Sequence, residues 1–154
     1  MSTQAVNRTY SIREAAELTG LPASTLRYYE TIGLFASINR GQTSGHRVYG
    51  EDDLNLLTGI ACLSATGLSV SDMKRYVANR DLGSSGAAEQ VALLTAQEQH
   101  LAREAELLAV RQRYVRLKID YWNAVGAGDG ARAELLAGEA RMLADELKTT
   151  KRRS

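Results

Sequence analysis

The fold is decided by the segment LPASTLRYYETIGL, which occupies residues 21–34. A proline near its start and a glycine near its end bound one short helix, in which Leu26 and Tyr29 are expected to face the core. Just upstream, Ser11 and Glu14 have the spacing of a capping box, which predicts another short helix. Two short helices joined by a tight glycine-containing turn are typical of a helix-turn-helix.

The early turns of the second helix bring together side chains that suit a nucleic acid. The hydroxyl groups of Ser24, Thr25 and Tyr28 can donate hydrogen bonds to phosphates. Arg27 can contact a guanine edge or bridge two phosphates. The first helix adds two further candidate contacts, Ser11 and Arg13. The alternative interpretation is that Arg27 is an ordinary surface arginine and that the tyrosines belong to the core.

Glycine-rich sequence after this helix pair predicts a β-hairpin, or wing, within residues 37–50. The glycines bracket a short segment rich in residues that favour β structure. A wing beside the helix pair would approach the neighbouring DNA backbone or minor groove. Its candidate contacts are Arg40, His46, Arg47 and Tyr49.

Helical periodicity resumes at Glu51 and is interrupted at Thr66-Gly67, which predicts a pair of helices. Ser69 or Ser71 is expected to cap the second of them. The segment Gly83-Ser84-Ser85-Gly86 is expected to be a flexible joint. These breaks predict a DNA-binding domain with its helical pair at residues 8–82, a dimerisation helix at 87–123 and a C-terminal amphipathic helix at 130–150.

Residues 87–122 contain neither proline nor glycine and carry an apolar heptad pattern. Such a helix is roughly 50–55 Å long, too long to bury its stripe on a domain of about 80 residues. It therefore needs a partner helix, most simply the same helix of a second copy. A hinge is expected at residues 126–130. The seam residues expected at the dimer interface are Val91, Leu94, Leu101, Ala105, Leu108, Val115, Ile119 and Trp122.

Composition excludes several classes of protein. The chain has 154 residues, of which 44% are apolar, with one cysteine and a net charge of +1. The apolar content suits a folded core, whereas no apolar run reaches the ~18 residues of a membrane span. A single cysteine forms neither an internal disulfide nor a multi-cysteine metal site. No phosphate-loop or nucleophile–base pattern indicates an enzyme. We therefore expect a cytoplasmic protein without a metal or other cofactor.

Several short segments of the first half of the chain form a recognisable set: residues 10–16, Gly20-Leu21, residues 25–30, Gly33-Leu34, residues 45–49 and residues 66–69. With these segments, residues 10–77 resemble the DNA-binding module of the MerR family of bacterial transcription regulators. The resemblance implies a mainly α fold, in which a winged helix-turn-helix is followed by a long antiparallel coiled-coil dimerisation helix. The short tail after that helix resembles the small AdhR- and NmlR-like members.

The resemblance also implies a mode of action. A homodimer would bind a pseudo-palindromic operator in double-stranded promoter DNA, with each second helix in a major groove and each wing beside it. Bending and untwisting of the promoter would then let RNA polymerase engage both promoter elements. Carried over by position, Arg27 and Tyr28 would contact DNA from the helix, and Arg47 and Tyr49 from the wing.

The sensor is less clearly specified by the sequence. Cys62 lies near the place where the AdhR- and NmlR-like subgroup carries its lone cysteine, so it is the sensor candidate for aldehydes or oxidants. The alternative is that Cys62 is an inert small hydrophobe, in a regulator without a cysteine-based sensor. No cysteine or histidine occurs between Trp122 and Gly130, which disfavours soft-metal sensing.

Two other functional classes remain as alternatives. One is a DNA-architectural accessory protein of the excisionase type, which the long heptad helix disfavours because such factors are usually short. The other is a structural adaptor whose coiled coil is its function, which the arginine- and tyrosine-bearing face of the second helix disfavours.

Overall fold

The computed structural model describes residues 8–35 and 48–151. In these ranges the chain forms α1 (Ile12–Thr19), α2 (Ala23–Thr31), α3 (Glu51–Ala65), α4 (Val70–Asp81), α5 (Ala87–Gly126) and α6 (Gly130–Lys151). The chain divides into a first unit that ends at Leu94 and a second unit that begins at Thr95, a boundary that falls inside α5. The predicted mainly α class is confirmed. No helix in the described ranges is long and apolar enough to cross a membrane.

The helix pair α1–α2 forms as the sequence predicts. The Glu14 amide donates to Ser11 Oγ and the Ser11 amide donates to Glu14 Oε1, each over 3.2 Å, which completes the capping box. Gly20 ends α1 in the left-handed conformation, with φ of 77°. Leu26 and Tyr29 are buried in the core of the first unit, as expected from their positions on α2. The turn and the core together determine how α2 is presented.

An antiparallel β-bridge joins the segment before α1 to the segment before α3. The backbone amides and carbonyls of Tyr10 and Tyr49 exchange two hydrogen bonds of 2.8 Å. The Tyr10 hydroxyl donates to Glu51 Oε1 over 2.6 Å. This bond to a carboxylate, together with burial, raises the pKa of Tyr10 above its ordinary value, because ionisation would remove the donor and place two negative charges side by side.

The segment predicted to be a flexible joint is an ordered turn. Residues Gly83–Gly86 form a 3-10 turn that leads directly into α5. Gly86 is buried against α4, where a Cβ would overlap the carbonyl oxygen of Asn79. Asn79 Nδ2 also donates to Gln90 Oε1 over 3.2 Å, and Gln90 Nε2 donates to the Tyr76 carbonyl over 2.9 Å. The prediction was wrong because these glycines and serines allow a close approach between helices rather than looseness.

The predicted hinge before the last helix is likewise a tight, hydrogen-bonded turn. Gly128 has φ of 72°, and its amide donates to the Val125 carbonyl over 3.1 Å. The Asp129 amide donates to the Ala124 carbonyl over 2.9 Å, which completes a Schellman motif. Asp129 Oδ1 then accepts from the Arg132 amide over 3.1 Å and caps α6. Each end of the turn is therefore satisfied, and α6 starts in a defined direction.

The second unit is a helical hairpin in which α6 packs back along the C-terminal part of α5. Its core consists of Leu117, Ala124, Ala133, Leu136, Ala140 and Leu143. Val110, Tyr114 and Tyr121 of α5 pack against this core and are partly buried. The final helix, which the sequence alone could not place, thus lies on α5 of its own chain.

The long helix α5 carries two apolar faces on nearly opposite sides. One face, which contains Leu117 and Ala124, is covered by α6. The other contains the predicted seam residues, all of which are exposed, the larger ones to between 38% and 65%. At 3.6 residues per turn the centres of the two faces are about 160° apart. The seam residues, called the apolar stripe below, are therefore left uncovered by α6.

The close approach at the start of α5 predicts a position-specific cost of adding a methyl group. Gly86→Ala is expected to lower the free energy of unfolding by about 1–3 kcal/mol, the usual cost of overpacking, because the new Cβ overlaps the Asn79 carbonyl. Urea unfolding followed by circular dichroism measures the change. Gly59→Ala is the matched control, since open space surrounds that position in α3 and the helix should gain about 0.5–1 kcal/mol. Equal effects at both glycines would contradict the close approach.

Candidate DNA-binding surface

Burial of one face of α2 decides which side chains the helix presents outward. Leu26 is fully buried and Tyr29 nearly so, which fixes the rotation of the helix about its axis. The predicted contact residues lie on the remaining surface and are Ser24, Arg27 and Tyr28, all exposed, and Thr25, half-buried. The structure therefore brings these four predicted residues together within two turns of one helix.

The two larger side chains of this face are available to a ligand. Tyr28 is 53% exposed, although its ring lies 6.0 Å from that of buried Tyr29. Arg27 is exposed, and it forms no ion pair within the described part of the chain. A guanidinium without a carboxylate partner is a ready donor to a phosphate or a guanine edge.

The first turn of α2 adds backbone donors to the same surface. Pro22 precedes the helix as its N-cap residue and makes no side-chain capping hydrogen bond. The amides at the start of a helix have no partner within it, and they carry the positive end of the helix dipole. The amides at the start of α2 can therefore donate hydrogen bonds to a phosphate oxygen beside the hydroxyl of Ser24.

The predicted contacts on α1 have different surroundings. Ser11 is exposed, but its hydroxyl oxygen already accepts from the Glu14 amide, so its first role is to cap α1. Arg13 forms an ion pair of 3.8 Å with Glu17, and both side chains are largely exposed. An ion pair of this kind contributes little, so it does not prevent Arg13 from turning to a phosphate.

The wing prediction requires one correction. Tyr49 is fully buried, so its side chain belongs to the core of the first unit and is not available to DNA. Sequence alone missed this because tyrosine suits both a surface and a core. The other predicted wing contacts, Arg40, His46 and Arg47, lie outside the described residues.

One further basic residue of the first unit was not singled out from the sequence. The Arg8 guanidinium lies 5.0 Å from the centre of the Tyr10 ring, a cation–π arrangement, and Arg8 is exposed. Its position two residues before the bridge residue Tyr10 was the available signal. Arg8 is therefore a further cation on the surface of the first unit.

Neither a metal-binding cluster nor a buried thiol occurs in the described ranges. No group of three His, Cys, Asp or Glu side chains there could bind a metal ion. Cys62 is exposed on α3, so the interpretation that it is a packed core residue is not what the structure shows. The preceding buried residue, Ile60, lies about 200° around the helix from Cys62, which explains why an apolar sequence context still leaves the thiol at the surface.

A capped helix pair with an exposed arginine–tyrosine face is typical of a helix-turn-helix DNA-binding protein. Residues 10–80 match the family model described as "MerR HTH family regulatory protein". An uncharacterized HTH-type transcriptional regulator of Haemophilus influenzae is 32% identical over 109 residues, which are 71% of this chain and 78% of that protein. The chain belongs to the MerR family of DNA-binding transcription regulators and is therefore not an enzyme.

Two further comparisons define the relationship. AdhR of Bacillus subtilis is 39% identical over 66 residues, which are 43% of this chain and 46% of AdhR, so this match spans less than half of either protein. The crystal structure of HiNmlR, described as a MerR family regulator lacking the sensor domain and bound to promoter DNA, superposes with a TM-score of 0.64 and 27% identity. That comparison covers 84% of this chain and 96% of HiNmlR.

The exposed guanidinium of α2 predicts a specific loss of DNA affinity. Arg27→Ala is expected to weaken binding to the operator by about 1–3 kcal/mol, because a guanine or phosphate contact is lost. Fluorescence anisotropy on a fragment found by footprinting the DNA upstream of the gene measures the effect. Arg132→Ala removes the same charge from α6 and should leave affinity unchanged. Equal affinity of the Arg27→Ala and wild-type proteins would exclude Arg27 as a contact.

Proposed function

We propose that this regulator acts as a homodimer that binds pseudo-palindromic promoter DNA through the exposed face of α2. The observation that carries the proposal is the outward presentation of Arg27 and Tyr28 by a helix whose other face is buried. The similarity to HiNmlR, whose crystal contains promoter DNA, supports the same kind of target. Such a regulator acts on chromosomal DNA, which lies in the cytoplasm of a bacterium.

The uncovered stripe of α5 supports the dimer. Seven large apolar side chains of one helix are exposed on the face that α6 does not cover. A contiguous apolar patch of this kind marks a protein interface. Its heptad spacing suits another helix of the same pattern, and a second copy of α5 supplies one.

Charge along α5 favours the antiparallel arrangement of two copies. Residues 87–106 contain four acids and one base, a net charge of −3, whereas residues 107–126 contain four bases and one acid, a net charge of +3. An antiparallel pair places each acidic half beside the basic half of the partner. A parallel pair would place like charges together, which is unfavourable.

The spacing of the stripe also indicates a register. If its two ends meet, Val91 pairs with the partner's Trp122, and Leu94 pairs with the partner's Ile119. Continuing inward, Ala105 pairs with the partner's Leu108 at the centre. Every pair then joins one a position to one d position, the two apolar positions of the heptad, which suits an antiparallel coiled coil. In this register three layers are wholly apolar, while Leu101 lies opposite the partner's Gln112 and Val115 opposite the partner's Glu98.

A dimer of this form would present two copies of α2 to one duplex. Two-fold symmetry of the protein then requires a pseudo-palindromic operator. Bending and untwisting the DNA between the half-sites would bring both promoter elements into reach of RNA polymerase, and the larger protein–DNA interface on a bent duplex offsets the cost of bending. RNA polymerase is in this account an indirect partner that reads the altered DNA.

The dimer interface can be tested by charge on the stripe. Leu101→Glu combined with Leu108→Glu is expected to give monomers, because four carboxylates would be desolvated at the centre of the pair. Sedimentation velocity measures the mass. Leu135→Glu on α6 is the matched control, since Leu135 is also exposed but lies outside the stripe. A dimer that persists in the double variant would exclude this interface.

The relative orientation of the two α5 helices in the dimer is tested by disulfide cross-linking. In a Cys62→Ser background, Leu94→Cys and Ile119→Cys proteins are mixed and oxidised. Antiparallel pairing predicts a disulfide between the two variants and none within either, because like positions lie about 37 Å apart. Disulfide-linked dimers of a single variant would instead indicate a parallel pair.

Exposure of Cys62 supports a second, finer proposal, that the thiol senses electrophiles. An accessible thiol can add to formaldehyde: the sulfur bonds to the carbonyl carbon, and the thiol proton moves to the carbonyl oxygen, with no leaving group. The adduct would lie on α3, which packs against both α1 and α4. A change at this position can therefore alter how the helix-turn-helix is supported.

The thiol hypothesis predicts that Cys62→Ser abolishes the response of DNA binding to formaldehyde while basal binding stays unchanged. Footprinting with and without the aldehyde, together with intact-protein mass spectrometry, measures the response and the adduct. Since Cys62 is the chain's one cysteine, adducts that persist in the Cys62→Ser protein come from other groups and set the background. A retained response in that variant excludes thiol sensing.

A further inference from the structure

A cavity of about 340 Å³ lies between α5 and α6 within the second unit. Its volume falls in the range of about 300–1,000 Å³ that is usual for small-molecule sites. The α5 side of the cavity is lined by large side chains, and the α6 side mostly by alanines, among them Ala137. The small residues of α6 leave a space that the side chains of α5 do not fill.

Aromatic rings form one wall of this cavity. The rings of Tyr121 and Trp122 lie 5.3 Å apart in an edge-to-face arrangement. Tyr114, one turn earlier on the helix than Lys118, lines the same wall. Because aromatic rings favour other rings in offset or edge-to-face contact, this wall suits a planar aromatic group.

Two cations lie at the same cavity, one on each helix. Lys118 Nζ is 5.6 Å from the Tyr114 ring centre and 6.0 Å from the Tyr121 ring centre, and Arg141 lines the cavity from α6. Within the described part of the chain neither Lys118 nor Arg141 forms an ion pair. Two cations without carboxylate partners beside an apolar space favour an anionic group that bonds to both.

We propose that this cavity binds a small aromatic carboxylate, with its ring against Tyr114 and Tyr121 and its carboxylate between Lys118 and Arg141. A neutral aromatic compound would leave both cations without a counter-charge, and a small aliphatic anion would leave the aromatic wall uncovered. The site would let the regulator bind a small molecule, in addition to the reaction proposed for the Cys62 thiol. It does not depend on DNA binding or on the reactivity of Cys62.

Trp122 makes the proposal directly measurable, because it is the chain's one tryptophan. Phenylacetate is the probe, with 2-phenylethanol as the neutral matched ligand and acetate as the matched anion without a ring. Tryptophan fluorescence and isothermal titration calorimetry on the full chain should show saturable binding of phenylacetate. Binding of either control ligand should be at least tenfold weaker. Absence of saturable phenylacetate binding at millimolar concentration would overturn the proposal.

Substitutions test separately whether the two cations and the free space of the cavity are needed for phenylacetate binding. Lys118→Gln and Arg141→Gln should each weaken phenylacetate binding at least fivefold, whereas Lys118→Arg should retain it. Lys148→Gln is the charge-matched control, because it removes a cation from α6 outside the cavity. Ala137→Leu should fill the cavity and abolish binding, with its fold checked by circular dichroism and thermal unfolding. Should Ala137→Leu unfold the hairpin, the two charge variants still decide the outcome.

Other results would overturn the proposal in identifiable ways. If 2-phenylethanol binds as tightly as phenylacetate, the carboxylate is not recognised by Lys118 and Arg141. If acetate binds as tightly, the aromatic wall takes no part. If Lys148→Gln weakens binding as much as Lys118→Gln, the anion responds to the general charge of the hairpin and not to this cavity. Each result leaves the DNA-binding proposal untouched, since no DNA is present in the assay.

Discussion

The arrangement of this regulator depends on one long helix that has two apolar faces, of which its own chain covers one. Leu117 and Ala124 are buried beneath α6, while the stripe about 160° away stays exposed. Uncovered apolar area of that extent is unfavourable in water, so the free energy of association is available wherever a second helix of matching pattern is present. Over residues 110–124 the intramolecular hairpin thus covers one side of the helix and leaves the stripe on the other side exposed.

Helix α2 is divided in a similar way into one buried face and one exposed face. In α2, burial of Leu26 and Tyr29 fixes the helix rotation, and the outward positions follow from it. The bridge between Tyr10 and Tyr49, with the hydrogen bond from Tyr10 to Glu51, ties the segment before α1 to the start of α3. Arg27 and Tyr28 therefore project from a rigid base, which lowers the entropy lost when they contact a ligand.

Much of this architecture could be predicted from the sequence because it is encoded locally. The capping box at Ser11 and Glu14, the left-handed glycine at position 20 and the burial of Leu26 each depend on neighbours along the chain. The residues that match the MerR family motifs also predicted the function of a DNA-binding regulator. Helix periodicity also located the apolar stripe, since an amphipathic pattern does not depend on what covers it.

The features that sequence missed depend on contacts between distant residues. The glycines and serines of residues 83–86 indicated flexibility, but the approach of Gly86 to Asn79 and the hydrogen bond from Asn79 to Gln90 make an ordered turn. Tyr49 lies in the segment predicted to be the wing, but its side chain is buried in the core of the first unit. The cavity in the second unit was not foreseen as a site for an anion, because Lys118 and Arg141 line the same space only when α6 folds back on α5.

The uneven distribution of charge along α5 has an effect on the single helix as well. Glu89 lies in the first turn, at the positive end of the backbone macrodipole, whereas the last turn carries no base, so the dipole favours the charge at the acidic end alone. A helix of 40 residues is also far longer than the ~12–15 residues below which an isolated helix is marginal in water. Association then joins two preorganised rods, and little conformational freedom remains to be lost on pairing. Added salt should screen the attraction between the acidic half of one α5 and the basic half of the other, so self-association should weaken as ionic strength rises.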